Sequence, residues 1–169
     1  MTKETKRGAK EGLGFGLIAG IIFAIAEMLG AMVMGMAPSM PLQMFASVVL
    51  GQEAMAETAG AGTYAVGIVT HLVLSAVFGV IYGLVNSNLS THTQTSWGRQ
   101  LGIGLLFGAI LWAVNFHIIA RLFFPWFLEA RQFLQLLMHA LFFGVPLGLM
   151  YAGAERRVQH VRPAARTPA

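Results

Sequence analysis

The chain has 169 residues, of which 56% are apolar and 11% charged, with a formal charge of +4, five histidines and no cysteine. Apolar content this high in long runs excludes an ordinary soluble domain, and the lack of cysteine excludes disulfides and thiolate metal centres. The positive charge flanks the apolar runs, so it is a topology signal and a source of headgroup contact rather than a nucleic-acid patch.

Four apolar runs follow one another, at 13–36, 64–85, 101–123 and 133–151. Each holds roughly 19–24 residues, enough at about 1.5 Å per residue to cross about 30 Å of hydrocarbon. The basic segment 1–12, with Lys3, Lys6, Arg7 and Lys10, precedes the first run as it would in a secretory signal. That run is too long for a signal, and Pro38 follows its only small-residue site, Ala37, so it reads as a retained anchor.

The first connection is the longest. Ser39, Met40 and Pro41 look like a helix start, and Leu42, Phe45, Val48 and Val49 supply an apolar face ending near Gly51. A short helix over about 40–50 is therefore expected on the outer surface, as a lid or as an anchor. Met28, Met32, Met36, Met40 and Met44 recur every four residues through this region. Thioethers suit Cu(I), but Pro38 and Pro41 interrupt the stripe, and adaptable packing explains it more simply. Tyr64, Trp97 and the Phe123, Phe124, Trp126, Phe127 group beside Pro125 fit interfacial aromatic belts.

Orientation follows from the 11 Lys and Arg residues. Lys3, Lys6, Arg7, Lys10, Arg99, Arg156, Arg157, Arg162 and Arg166 fall on one side, and only Arg121 and Arg131 on the other. Nine against two places both termini, including the basic tail 152–169, in the cytoplasm.

The start of the third run echoes the first: Leu13-Gly14-Phe15-Gly16 against Leu101-Gly102-Ile103-Gly104, an offset of 88 that also superposes Glu27 on Asn115. His71 with Gly79 and Tyr82 is echoed more loosely by His139 with Gly148 and Tyr151. The pattern is that of a two-helix hairpin repeated in parallel. Each run also carries a small-xxx-small pair, Gly16/Gly20, Gly79/Gly83, Gly104/Gly108 and Gly144/Gly148, which lets backbones approach closely. All four pairs lie in the cytoplasmic half, so the bundle should be tight there and looser outward.

Five polar residues interrupt the runs at matching depth: Glu27, His71, Asn115, His117 and His139. All lie roughly 9–14 Å below the outer boundary at helical rise, and ionisable groups at such depth are costly enough to mark function. Asn115 shares a face with Gly104 and Gly108, and Glu27 with Gly16 and Gly20, so both should look into the bundle. His117 is two residues from Asn115 and points elsewhere, on the face of Arg121. Gln132, Gln135 and His139 form a polar stripe on the fourth run, and Thr70 adds a hydroxyl beside His71.

Three chemistries could use this set. His71, His139, His117 and Glu27 are suitable transition-metal ligands, and His71 with His139 could hold a haem axially. Glu27, Asn115, Gln135, Arg121 and Thr70 could instead form a proton path with the histidines. The plainer alternative is that these groups only hydrogen-bond across helix interfaces.

The chain resembles the YagU-like group of small bacterial inner-membrane proteins in Gly16-Leu17-Ile18-Ala19-Gly20, Met44-Phe45, Thr70-His71 with Ser75, Phe78 and Tyr82, Gly104-Leu105-Leu106, His117 and His139. The resemblance implies a four-span inner-membrane protein with a link to acid resistance. It points to His71, His117 and His139 but does not extend to Glu27.

The expected protein is all-α: a four-helix transmembrane bundle in the bacterial inner membrane, with an outward-opening polar site that binds a metal ion or haem or conducts protons. No nucleophile–base pair, phosphate loop or nucleotide fingerprint points to an enzyme. The alternative is an accessory or assembly subunit, with a homo-oligomer or larger membrane complex as its partner.

Overall fold

The computed structural model describes residues 2–161; Arg162 and Arg166 of the basic tail lie outside the described residues. Among those residues all regular structure is helical. Four helices are long and apolar enough to cross a membrane: α1 (Lys3–Val33), α3 (Ala61–Asn86), α4 (Trp97–Phe123) and α5 (Gln132–Val161), with the shorter α2 (Met40–Leu50) between α1 and α3. Large apolar side chains such as Ile25, Leu29, Val73, Leu106, Ile110 and Phe133 remain exposed around the outside. A bundle buried on its inner stripe and apolar on its outer surface is the architecture of a multi-pass integral membrane protein.

Helix boundaries follow local chemistry. α1 begins well before its apolar run because Thr2 caps it, its Oγ1 accepting from the Thr5 N–H at 3.1 Å. It stops at Val33, where the chain turns through Gly35 at φ +72°. Gly51, at φ +82°, ends α2 in the same left-handed region, which a Cβ would strain. Ser96 caps α4 through the Arg99 N–H.

Two antiparallel hairpins, α1/α3 and α4/α5, make up the bundle. Glycine forms the seam of each. A Cβ placed on Gly79 would fall against the Gly12 carbonyl and the Gly16 Cα, and one on Gly144 would fall against the Gly104 carbonyl. Only hydrogen leaves room for such backbone approach, which supplies the packing that lipid does not drive.

The end of the bundle that carries Lys3 and Val161 is sealed. Tyr82 Oη donates to Gln100 Oε1 at 2.8 Å, and Gln100 Nε2 donates to Asn86 Oδ1 at 2.7 Å. Across the same level Tyr151 Oη donates to the Gly8 carbonyl at 2.6 Å, and the two tyrosine rings lie 5.2 Å apart. Just beyond, Arg7 forks onto both oxygens of Glu155 at 2.7 and 2.8 Å and also reaches Glu11 at 3.2 Å. First and last spanning helices are thereby tied together.

Toward the opposite, distal end, α4 and α5 each widen into a π-helical segment, Asn115–Ile119 and Met138–Gly144. For α5 the cause is visible: Pro146 has no N–H to give the Phe142 carbonyl, which disturbs the ladder just before it. Widened turns of this kind occur often at functional sites. Here they flank the space described next.

Candidate functional site

The distal half encloses a cavity of about 340 Å³ bounded by α1, α2, α3, α4, the α4–α5 connection and α5. Glu27, His71, Asn115, Gln135 and His139 all line it. Four of the five polar residues singled out by depth therefore meet around one chamber. The fifth, His117, does not: it is exposed on the outside of α4 and stands edge-on against Trp112, centroids 4.7 Å apart. Asn115 takes the inward face at that level, so a residue two positions on is carried away from it. Arg121 is likewise exposed, and neither Arg121 nor Thr70 lines the chamber.

Glu27 occupies the most telling position. Gln135 Nε2, from α5, donates to its Oε2 at 3.2 Å, while its Oε1 is buried with no hydrogen-bond partner among the described residues. A second cavity, of about 350 Å³, adjoins the first and shares with it Glu27, Pro41, Met44 and Gln135. Met34, Met36, Met40 and Met55 add to its wall, with Glu129 and Arg131 from the distal connection. Glu27 thus stands where a methionine-lined vestibule meets the inner chamber.

The two chamber histidines are fixed by backbone carbonyls. His71 Nε2 lies 2.8 Å from the Gly20 carbonyl, reached across the α1/α3 seam, and His139 Nδ1 lies 2.8 Å from the Gln135 carbonyl one turn back on its own helix. A carbonyl only accepts, so each of these nitrogens carries hydrogen. In the neutral ring that leaves His71 Nδ1 and His139 Nε2 as acceptors. His71 stacks on Phe45 and lies near-parallel to Phe23, with centroids at 4.3 and 5.6 Å. His139 receives Phe23 and Phe116 edge-on, at 4.9 and 5.8 Å.

Among the described residues no three His, Asp or Glu side chains group closely enough to hold a metal ion. The Phe23 ring packs against both imidazoles.

Phenylalanine is the commonest residue of the wall. Seven of the chain's 12 phenylalanines line the chamber, and no lysine or arginine does. Sequence reading by depth picked out the polar residues but not this cage, although a signal existed: Phe23 and Glu27, and His139 and Phe143, are each one helical turn apart. It also left out Ser75, which enters only through the family resemblance and bonds the His71 carbonyl at 2.7 Å, and Ser47 of α2. Trp126 Nε1 donates to Ser47 Oγ at 2.8 Å, anchoring α2 to the distal connection across the chamber. With Pro41, Met44, Phe45 and Val48 in the chamber wall, α2 closes one flank of the site.

Pockets of about 300–1,000 Å³, mainly apolar with a few convergent polar groups, are the usual form of small-ligand sites. This chamber has that form. Comparison of the chain with protein-family profiles, with curated proteins and with solved structures gives no match.

Proposed function

We propose that the chain is a multi-pass protein of the bacterial inner membrane, termini in the cytoplasm, whose outward-opening chamber exchanges protons and a small ligand at Glu27 in a transport or stress-resistance role. The carrying observation is the unpartnered Oε1 of Glu27 at the junction of two cavities. An ionised carboxylate out of water is costly unless a counter-charge joins it. Glu27 therefore has two low-energy conditions, protonated or paired with a cation, and alternation between them couples the two.

Other features support the same reading. The sealed end built on Tyr82, Tyr151, Gln100 and Arg7–Glu155 blocks passage on the side of the termini, as an outward-facing carrier requires. The two hairpins cross-tie at that end, Tyr82 of one to Gln100 of the other and Tyr151 to Gly8 in return, which supports a parallel hairpin repeat. The charge distribution supports cytoplasmic termini. Resemblance to the YagU-like group, with its link to acid resistance, agrees with a proton-exchanging role, although it does not extend to Glu27 itself.

Infrared difference spectroscopy on protein reconstituted in lipid tests this directly. A carboxylic-acid C=O band should appear on acidification of the wild type and be missing in Glu27→Gln. Identical spectra would remove Glu27 as the exchanging group and leave a layer that only orders helices, as in an accessory subunit.

A further inference from the structure

Resting on that reading, we infer that the ligand is an organic cation with an apolar or aromatic body, bound by the phenylalanine cage with its positive charge against Glu27. The occupant must satisfy three features of one space. Glu27 offers an unpartnered buried carboxylate oxygen, no lysine or arginine lines the chamber, and seven phenylalanine rings make up over a third of its 20 lining residues. An anion would meet a carboxylate and no cationic side chain. A neutral apolar molecule would fill the cage but leave Oε1 unpaired. A bare metal ion would need several donors to replace its water, and among the described residues no three His, Asp or Glu side chains group to supply them.

A quaternary or protonated amine on an organic body meets none of these objections. Its charge is diffuse and weakly hydrated, ring faces attract it through their quadrupoles, and the effect grows where water is excluded. The carboxylate supplies the counter-charge. The vestibule suits its approach: the thioethers of Met34, Met36, Met40 and Met55 adapt to varied apolar shapes, and Glu129 stands among them. The titratable and charged groups around Glu27 are His71 from α3, His139 from α5, and Glu129 and Arg131 across the vestibule. Only Arg131 is a fixed positive charge, and it belongs to the vestibule rather than the chamber.

Benzyltrimethylammonium is a suitable probe because its charge is permanent, and neopentylbenzene is its neutral carbon isostere. Detergent-purified full-length protein should bind the cation with one-to-one stoichiometry by calorimetry, more weakly as pH falls and protons compete. Excess isostere should not displace it. Glu27→Gln should weaken binding at least about tenfold, since it removes the one charge opposite the ligand. Phe116→Leu, which keeps an apolar side chain, should weaken it about threefold to thirtyfold.

Equal binding of the neutral isostere would overturn the inference and leave a merely apolar pocket, without touching proton exchange at Glu27. No binding of the cation to wild type, with the carboxylic-acid band still titrating, would likewise sink the ligand class alone. Loss of both the band and the binding would sink the underlying function as well. Because the cation–isostere comparison uses wild type, it stands even if a variant fails to fold.

Discussion

Replacing Gly79 by alanine isolates the feature on which the bundle is built. The new Cβ would lie against the Gly12 carbonyl and the Gly16 Cα, both backbone, so no side chain can swing aside and α1 must separate from α3. Overpacking of this kind costs about 1–3 kcal/mol. Alanine's better helix propensity returns up to about 1 kcal/mol. The expected net loss is about 1–2 kcal/mol, roughly a fivefold to thirtyfold drop in the folded-to-unfolded ratio. Gly144→Ala should behave similarly, since its Cβ would meet the Gly104 carbonyl in the other hairpin. Gly14 and Gly102 lie in the partner helices α1 and α4, but a Cβ on either would have open space for 4 Å around it, so alanine there should be neutral or stabilising by up to about 1 kcal/mol. Reversible unfolding in mixed micelles, measured on all four variants, separates the two classes. Wild-type stability in Gly79→Ala and Gly144→Ala, or an equal loss in Gly102→Ala, would refute the idea that backbone contact holds the hairpins.

Two further outcomes follow from the sealed end and the chamber. Arg7→Ala should destabilise more than Glu155→Ala, because it strands a carboxylate only 7% exposed whereas Arg7, 33% exposed, keeps Glu11 when Glu155 is lost; a double-mutant cycle should give a coupling of about 1–3 kcal/mol, between exposed and buried pairs, and zero coupling would refute the tie. Nitrogen-15 NMR of labelled histidine should find opposite neutral tautomers, hydrogen on Nε2 of His71 and on Nδ1 of His139, and matching tautomers would contradict the carbonyl contacts at Gly20 and Gln135.

The helical class and its four spans were legible because they depend on run length and on nothing distant. Gly79, Gly104 and Gly144 were equally legible as contact positions, since one helix face stripped of side chains has little use except close approach. The meeting of Glu27, His71, Asn115 and His139 followed from equal depth, combined for Glu27 and Asn115 with the face marked by the glycines. What sequence could not give was set by partners on other helices. Whether Glu27 is satisfied depends on Gln135, 108 residues away. The π-helical turns at Asn115 and Met138 alter facing by a fraction of a turn that no 3.6-residue count contains. His117 shows the limit from the other side: it shares the depth of the layer but not its face, and face decided its place.

Buried polar groups at the two ends of the bundle obey different logic. Tyr82, Gln100, Asn86 and Tyr151 are each at most 1% exposed and pass hydrogen bonds among themselves or to the Gly8 carbonyl. In hydrocarbon, where water cannot substitute, such bonds fix how helices dock. Those residues are therefore architecture, although sequence gives them the same polar character as the chamber set. Asn86 Nδ2 is also without a partner among the described residues, but Glu27 stands apart because two cavities open beside its unpartnered oxygen. A deficit in a closed seam would simply cost stability. Placed at the junction of two cavities, at the end away from the Arg7–Glu155 tie, it is an opening with room beside it for a partner that the closed seam could not admit.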